Sequence, residues 1–191
     1  MRILIVSTLI VFLFALGLAT AQDTPPSPQS VPPSDLTASF HVTDLEATTL
    51  VYQTFRLKPE EFAVKGRSII ETMQSDMVKA RIGVAGGPII IYTQSPRAGQ
   101  AMDVQVGFPV PASTAPPVGY AVRQLQAGPS AVMLYMGSTN GLGDAIQGFY
   151  DRLREAGRTP GHELRIRSLF WQGEDSGNNV VMIDLPLPTA Q

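Results

Sequence analysis

The sequence predicts an α+β domain of two β-α-β-β modules related by a pseudo-twofold axis, sharing an antiparallel sheet with both helices on one side. Three observations predict it: an internal repeat of about 75 residues, one amphipathic helix in each repeat, and strand pairs that close each repeat on proline. In the first half Val42-Thr-Asp-Leu45 leads to Ala47 and then Thr49-Leu-Val-Tyr52; in the second Val122-Arg-Gln-Leu125 leads to Ala127 and then Val132-Met-Leu-Tyr135. Each reads as a strand, a kink and a strand ending in tyrosine, followed by a loop, so the repeat matches Tyr52 with Tyr135.

The helices come next. Phe62, Ile69, Ile70, Met73 and Met77 share one face in the first half; Leu142, Ala145, Ile146, Phe149, Tyr150 and Leu153 share one in the second. The second set follows the 3.6-residue period closely, and Gly157 and Pro160 mark its end. Asn140-Gly-Leu-Gly-Asp144 lacks the lysine of a phosphate-binding loop and reads as a helix cap, with Asn140 or a neighbour at the N-terminus. Two strands follow each helix: Pro88 to Tyr92 and Met102 to Pro109, then Leu164 to Trp171 and Val180 to Pro186. Proline lacks the amide donor of a ladder, so Phe108-Pro-Val-Pro111 and Leu185-Pro-Leu-Pro188 should stop the closing strands. Module one spans 36–111 and module two 119–188, inside a domain of 35–188, with a cleft between them.

Ahead of the domain, Arg2, an apolar run from Ile3 to Leu18 and Ala19-Thr-Ala21 have the order of a secretory signal peptide over residues 1–21. The run is shorter than the ~20 residues of a membrane span. Residues 22–34, QDTPPSPQSVPPS, read as a disordered proline- and serine-rich tether. The expected location is periplasmic or secreted, after cleavage following Ala21, with no stable membrane insertion thereafter. The chain has no cysteine, so disulfides, thiolate metal sites and cysteine nucleophiles are excluded. Its net charge of -2 comes from interspersed acids and bases, and no nucleic-acid partner is expected.

The order of these motifs resembles the GyrI-like family, the effector-binding domain attached to AraC-type and other bacterial transcription activators and found as stand-alone proteins. The residues that carry it are Gly86-Gly-Pro-Ile-Ile-Ile-Tyr92, Val104 to Val110, Leu125 to Gly137, the helix Leu142 to Gly157, and Ile183-Asp-Leu-Pro186. The resemblance covers roughly Leu36 to Pro188 and implies two SHS2-like modules with a small-molecule pocket between them. Haem-binding SOUL proteins are similar in fold. Family members that take cationic drugs carry a glutamate two residues before a tyrosine on the third strand of the second module; here Ser168 and Phe170 fall at those places. The acidic determinant is missing, and no DNA-binding helices are expected ahead of the domain.

Alternation along Leu164–Trp171 puts Arg165, Arg167, Leu169 and Trp171 on one face and Leu164, Ile166, Ser168 and Phe170 on the other. Arg165 and Arg167 are expected to be solvated edge charges; should their face line the cleft, a carboxylate-bearing ligand would be favoured. The expected binding residues are Tyr92, Tyr135, Ser168, Phe170, Trp171, Tyr52 and Arg167, since aromatics with a polar tip can grip an apolar ligand and orient one polar group. His41 and His162 sit in no recognisable catalytic or metal constellation, although His162 adjoins Glu163. No catalytic set, metal or cofactor is expected. The expected function is non-catalytic binding of a small, largely apolar molecule; the alternatives are a hydrolase in the same pocket, a tetrapyrrole binder, or a protein-interaction module of the envelope.

Overall fold

Apolar residues alternate along eight short segments and recur at helical spacing in two, and in the computed structural model, which describes residues 40–188, each forms its element. The signal peptide and the tether lie outside the described residues. The first half gives β1 (His41–Leu45), β2 (Thr48–Leu57), α1 (Pro59–Lys79), β3 (Ile89–Tyr92) and β4 (Met102–Pro109). The second gives β5 (Ala121–Leu125), β6 (Gly128–Met136), α2 (Thr139–Glu155), β7 (Leu164–Phe170) and β8 (Val180–Pro186). β2 runs five residues beyond Tyr52 and needs no loop there, because Gln53 to Leu57 continue its ladder with β4.

Among the described residues all pairs are antiparallel, in a single eight-stranded sheet of order β1-β6-β8-β7-β3-β4-β2-β5. That order is a palindrome under exchange of the halves. The modules meet along β3 and β7, where Ile90 faces Ile166, so the pseudo-twofold axis passes between those two isoleucines. Each half also gives away its first strand: β1 pairs with β6, and β5 with β2. The kinks after Leu45 and Leu125 therefore separate strands that lie at opposite ends of the sheet.

One face of the sheet carries the main core. Val51, Val104, Val106, Phe108, Ile166 and Ile183 from the strands cluster there with Met73 and Met77 of α1 and Phe149 and Leu153 of α2. Phe62, Ile69 and Ile70 on α1, and Leu142, Ala145 and Ile146 on α2, are partly buried against it. Pro59 opens α1 at a position whose N–H would be unpaired anyway, and the Lys58 amide donates to Glu61 at 2.9 Å. Ser138, not Asn140, precedes α2, so the Asn140–Asp144 segment lies inside the helix.

The two described helices end alike. Gly157 takes φ +67 and its amide bonds to Arg154, while Arg158 bonds to Leu153. In α1, Arg81 and Ile82 bond to Val78 and Met77 in the same way, but the left-handed position, φ 57, is held by Arg81 instead of glycine.

The register shows which residues correspond. Leu50 pairs with Pro109 and Ser130 with Pro186, which makes Phe55, not Tyr52, the counterpart of Tyr135. Tyr52 lies on the helix-free face and Tyr135 on the helix face, so the matching of the two tyrosines by the sequence repeat is corrected.

Candidate functional site

On the helix side, the axis is the natural place for a cleft. Ile90 and Ile166 lie at the middle of the sheet, where covering helices would leave no exposure. Ile166 is 4% exposed, yet Ile90 is only half-buried, so the helical layer leaves an opening above β3. Tyr92 flanks it, with its ring edge-on to Phe62 of α1 at 6.3 Å between centroids. Burial pushes the Tyr92 phenol up to about 12. Ser168 stands where Tyr92 stands in the other module, is half-buried, and faces Val181 of the core. Phe62 is the helix residue in ring contact with Tyr92 here, and no charged group lies among Ile90, Tyr92, Ile166 and Ser168.

The helix-free face is built differently. Arg123 on β5 bonds to Gln105 on β4 and to Glu163 beside β7, although β2, β4 and β3 separate β5 from β7. That reach requires the sheet to curl over this face. Glu163 also accepts from Arg165 at 3.1 Å; Arg165 stands 3.7 Å from Asp184, and Arg167 Nε donates to Asp184 at 3.2 Å. Asp184 is fully buried and Arg165 is 7% exposed, which corrects the reading of Arg165 and Arg167 as solvated edge charges. β7 is an interior strand between β8 and β3, so its arginines have no edge to escape to. Burial raises the Asp184 carboxyl against the pull of Arg167 and Arg165. At Glu163 burial also raises, but hydrogen bonds and charge from Arg123 and Arg165 leave it below the ordinary range.

The structure brings together few of the sequence-predicted site residues. Tyr92 and Ser168 flank the axis. Tyr135 packs under the turn before α2, where its hydroxyl donates to the Ser138 carbonyl at 2.6 Å. A bulge follows Ser168, and Phe170 pairs with Val180. Phe170 therefore crosses to the helix-free face, against the simple alternation, and is 49% exposed, with Trp171 at 44% beside it. Arg167 lies on that face too. Tyr52 lines an open groove of about 390 Å³ with Phe55, Tyr120 and Ala121, where β5 stops pairing with β2. The Tyr120 hydroxyl there donates to Asp76 of α1 at 2.9 Å. Sequence reasoning missed Ile90, Asp184 and Arg123; a lone aspartate inside the apolar run Val180 to Leu185 was the available signal for Asp184. His162 is exposed, and Glu163 is committed to two guanidinium groups. Among the described residues no cluster of three or more His, Asp or Glu is placed to hold a metal.

No protein-family model and no curated protein matches the sequence. Solved structures do match in fold. EcmrR in its DNA complex superposes with a TM-score of 0.69 at 13% identity, over 80% of this chain and 58% of that one. The chain thus spans little more than half of that protein, but it spans 98% of the isolated EcmrR C-terminal domain, with a TM-score of 0.68 at 13% identity over 80% of this chain. SAV2435 bound to tetraphenylphosphonium gives 0.55 at 12% identity, over 78% of this chain and 94% of that one. A hydrolase from Listeria innocua gives 0.53 at 8%, over 78% and 92%. At such identities the likeness establishes a shared fold, and it agrees with the two-module architecture that the GyrI-like resemblance implies.

Proposed function

We propose that this chain binds a small, largely apolar and uncharged molecule in the cleft over the pseudo-twofold axis, without turning it over. The observation that carries the reading is the half-buried Ile90 at the centre of the sheet, flanked by Tyr92 and Ser168, with Phe62 of α1 against Tyr92. Apolar walls with one or two polar groups are the usual make-up of a small-molecule pocket. SAV2435, a protein of this fold, holds tetraphenylphosphonium, which supports ligand binding. Here Ser168 takes the place that the resemblance gives to an acidic residue, so a cation gains nothing. Binding without catalysis is supported by Glu163, whose carboxylate is locked between Arg123 and Arg165.

The test is titration with the neutral dye N-phenyl-1-naphthylamine. Saturable one-to-one binding is expected, weakened about tenfold or more by Ser168→Phe, which fills the cleft. A loss on Tyr52→Ala instead, with Ser168→Phe unaffected, would move the site to the groove beside β2, which its volume and aromatic lining favour as a second reading. Reporter-ester hydrolysis lost on Glu163→Gln would establish an enzyme. A Soret band lost on His41→Ala or His162→Ala would establish a tetrapyrrole binder. Capture of an envelope protein by the isolated chain, with no dye bound, would establish an interaction module.

The same proposal places the protein outside the cytoplasm, after removal of residues 1–21 and tethered by the proline-rich segment. N-terminal sequencing of the exported protein should begin at Gln22; an intact Met1 in a membrane fraction would overturn it.

A further inference from the structure

Five charged residues of the helix-free face form one alternating chain: Arg123, Glu163, Arg165, Asp184, Arg167. It begins and ends on a cation and so carries one uncompensated positive charge. Each interior member is shared between two neighbours. At the far end, Arg167 uses only its Nε, and among the described residues neither of its Nη groups makes a hydrogen bond. Its side chain keeps 17% of its exposure, so those donors are open to solvent.

The fold does not demand this chain of charges. By the pseudo-twofold register, Ile89 stands for Arg165, Ile91 for Arg167 and Gly107 for Asp184. The first module builds the same strands with apolar residues and glycine. Burying two carboxylates and two guanidinium groups costs desolvation that apolar residues would avoid, and the first module shows that such residues fit.

Beside Arg167 the same face is apolar and partly open. Met182 sits opposite Arg167 on β8, and Leu134, 39% exposed, sits opposite Met182 on β6. The bulge turns Phe170 onto this face next to Val180. A guanidinium with two unused donors at the end of an apolar strip complements a carboxylate with an apolar body.

We propose that this face is a second binding site, distinct from the axial cleft, for an amphipathic carboxylate: the carboxylate on the Nη groups of Arg167, the apolar body along Leu134, Met182 and Phe170. Charge decides its specificity, in contrast to the neutral cleft on the other side of the sheet.

The experiment titrates the full chain with decanoate, decanol and decyltrimethylammonium, by calorimetry and by emission of Trp171, the only tryptophan, which adjoins Phe170. Decanoate should bind at least tenfold more tightly than the other two. Arg167→Met should remove that preference, and the exposed Phe170→Ser, which leaves the core untouched, should weaken decanoate severalfold while the melting curve stays in place. Equal binding of all three amphiphiles, or none of decanoate, overturns the proposal. Decanoate binding that survives both variants but is lost on Ser168→Phe also overturns it, since the ligand then occupies the axial cleft. Loss of dye binding in the cleft leaves this test intact.

Discussion

A left-handed backbone costs an ordinary residue roughly 1–2 kcal/mol, which glycine avoids. Arg81 bears that cost at the end of α1, where Gly157 holds the equivalent place after α2. Arg81→Gly should stabilise the protein by about 1 kcal/mol in urea denaturation, since the side chain is exposed and the hydrogen bonds of the cap remain. Tyr135 allows a sharper test. A Cβ added at Gly141 would stand 2.6 Å from its hydroxyl oxygen. Gly141→Ala should cost about 1–3 kcal/mol by overpacking. In the Tyr135→Phe background, which itself loses about 1 kcal/mol with the bond to Ser138, the alanine should cost far less. Additive losses in the double-mutant cycle would contradict this packing. Tyr135 was legible as an important residue but not in its role, because a tyrosine in a strand reads alike whether its hydroxyl meets a ligand or a neighbouring turn.

β7 shows what a strand's own sequence conceals. Its alternation is plain in Leu164-Arg-Ile-Arg, yet an arginine on the outward face of an edge strand is solvated, and one on an interior strand of a curled sheet must find carboxylates. The partners, Glu163 and Asp184, come from beside the strand and from β8. The bulge after Ser168 was equally hidden, since one extra residue leaves no mark in composition but moves Phe170 to the other face. The charges give the element a pH signature. Glu163 lies below its ordinary 4.5, so its contribution is complete above that pH and is lost as acid protonates it. Asp184, raised from 3.8 by burial, works in the opposite sense and adds stability as it is protonated. Glu163→Gln should therefore flatten the acid limb of melting temperature against pH below about 4.5. Limbs of equal slope in mutant and parent would show that Glu163 carries no such stability.

At the scale of the molecule, the repeat, the helices and the proline stops were legible because each is written in local residues: Phe149 and Leu153 at helical spacing, Pro109 and Pro186 at strand ends. Which strands pair was not, since nothing in Val42–Leu45 distinguishes β2 of its own half from β6 of the other. The exchange means that neither half contains a complete sheet. A fragment covering 119–188 should show no cooperative melting transition by circular dichroism, while the two halves mixed should recover one. A stable isolated half would argue against the exchange. The same feature governs the order of events when the chain is made. β1 has no partner until β6 is synthesised about ninety residues later, and such non-local pairing slows folding. A nascent chain of this kind stays loose until most of it exists, a state that would suit the export proposed above.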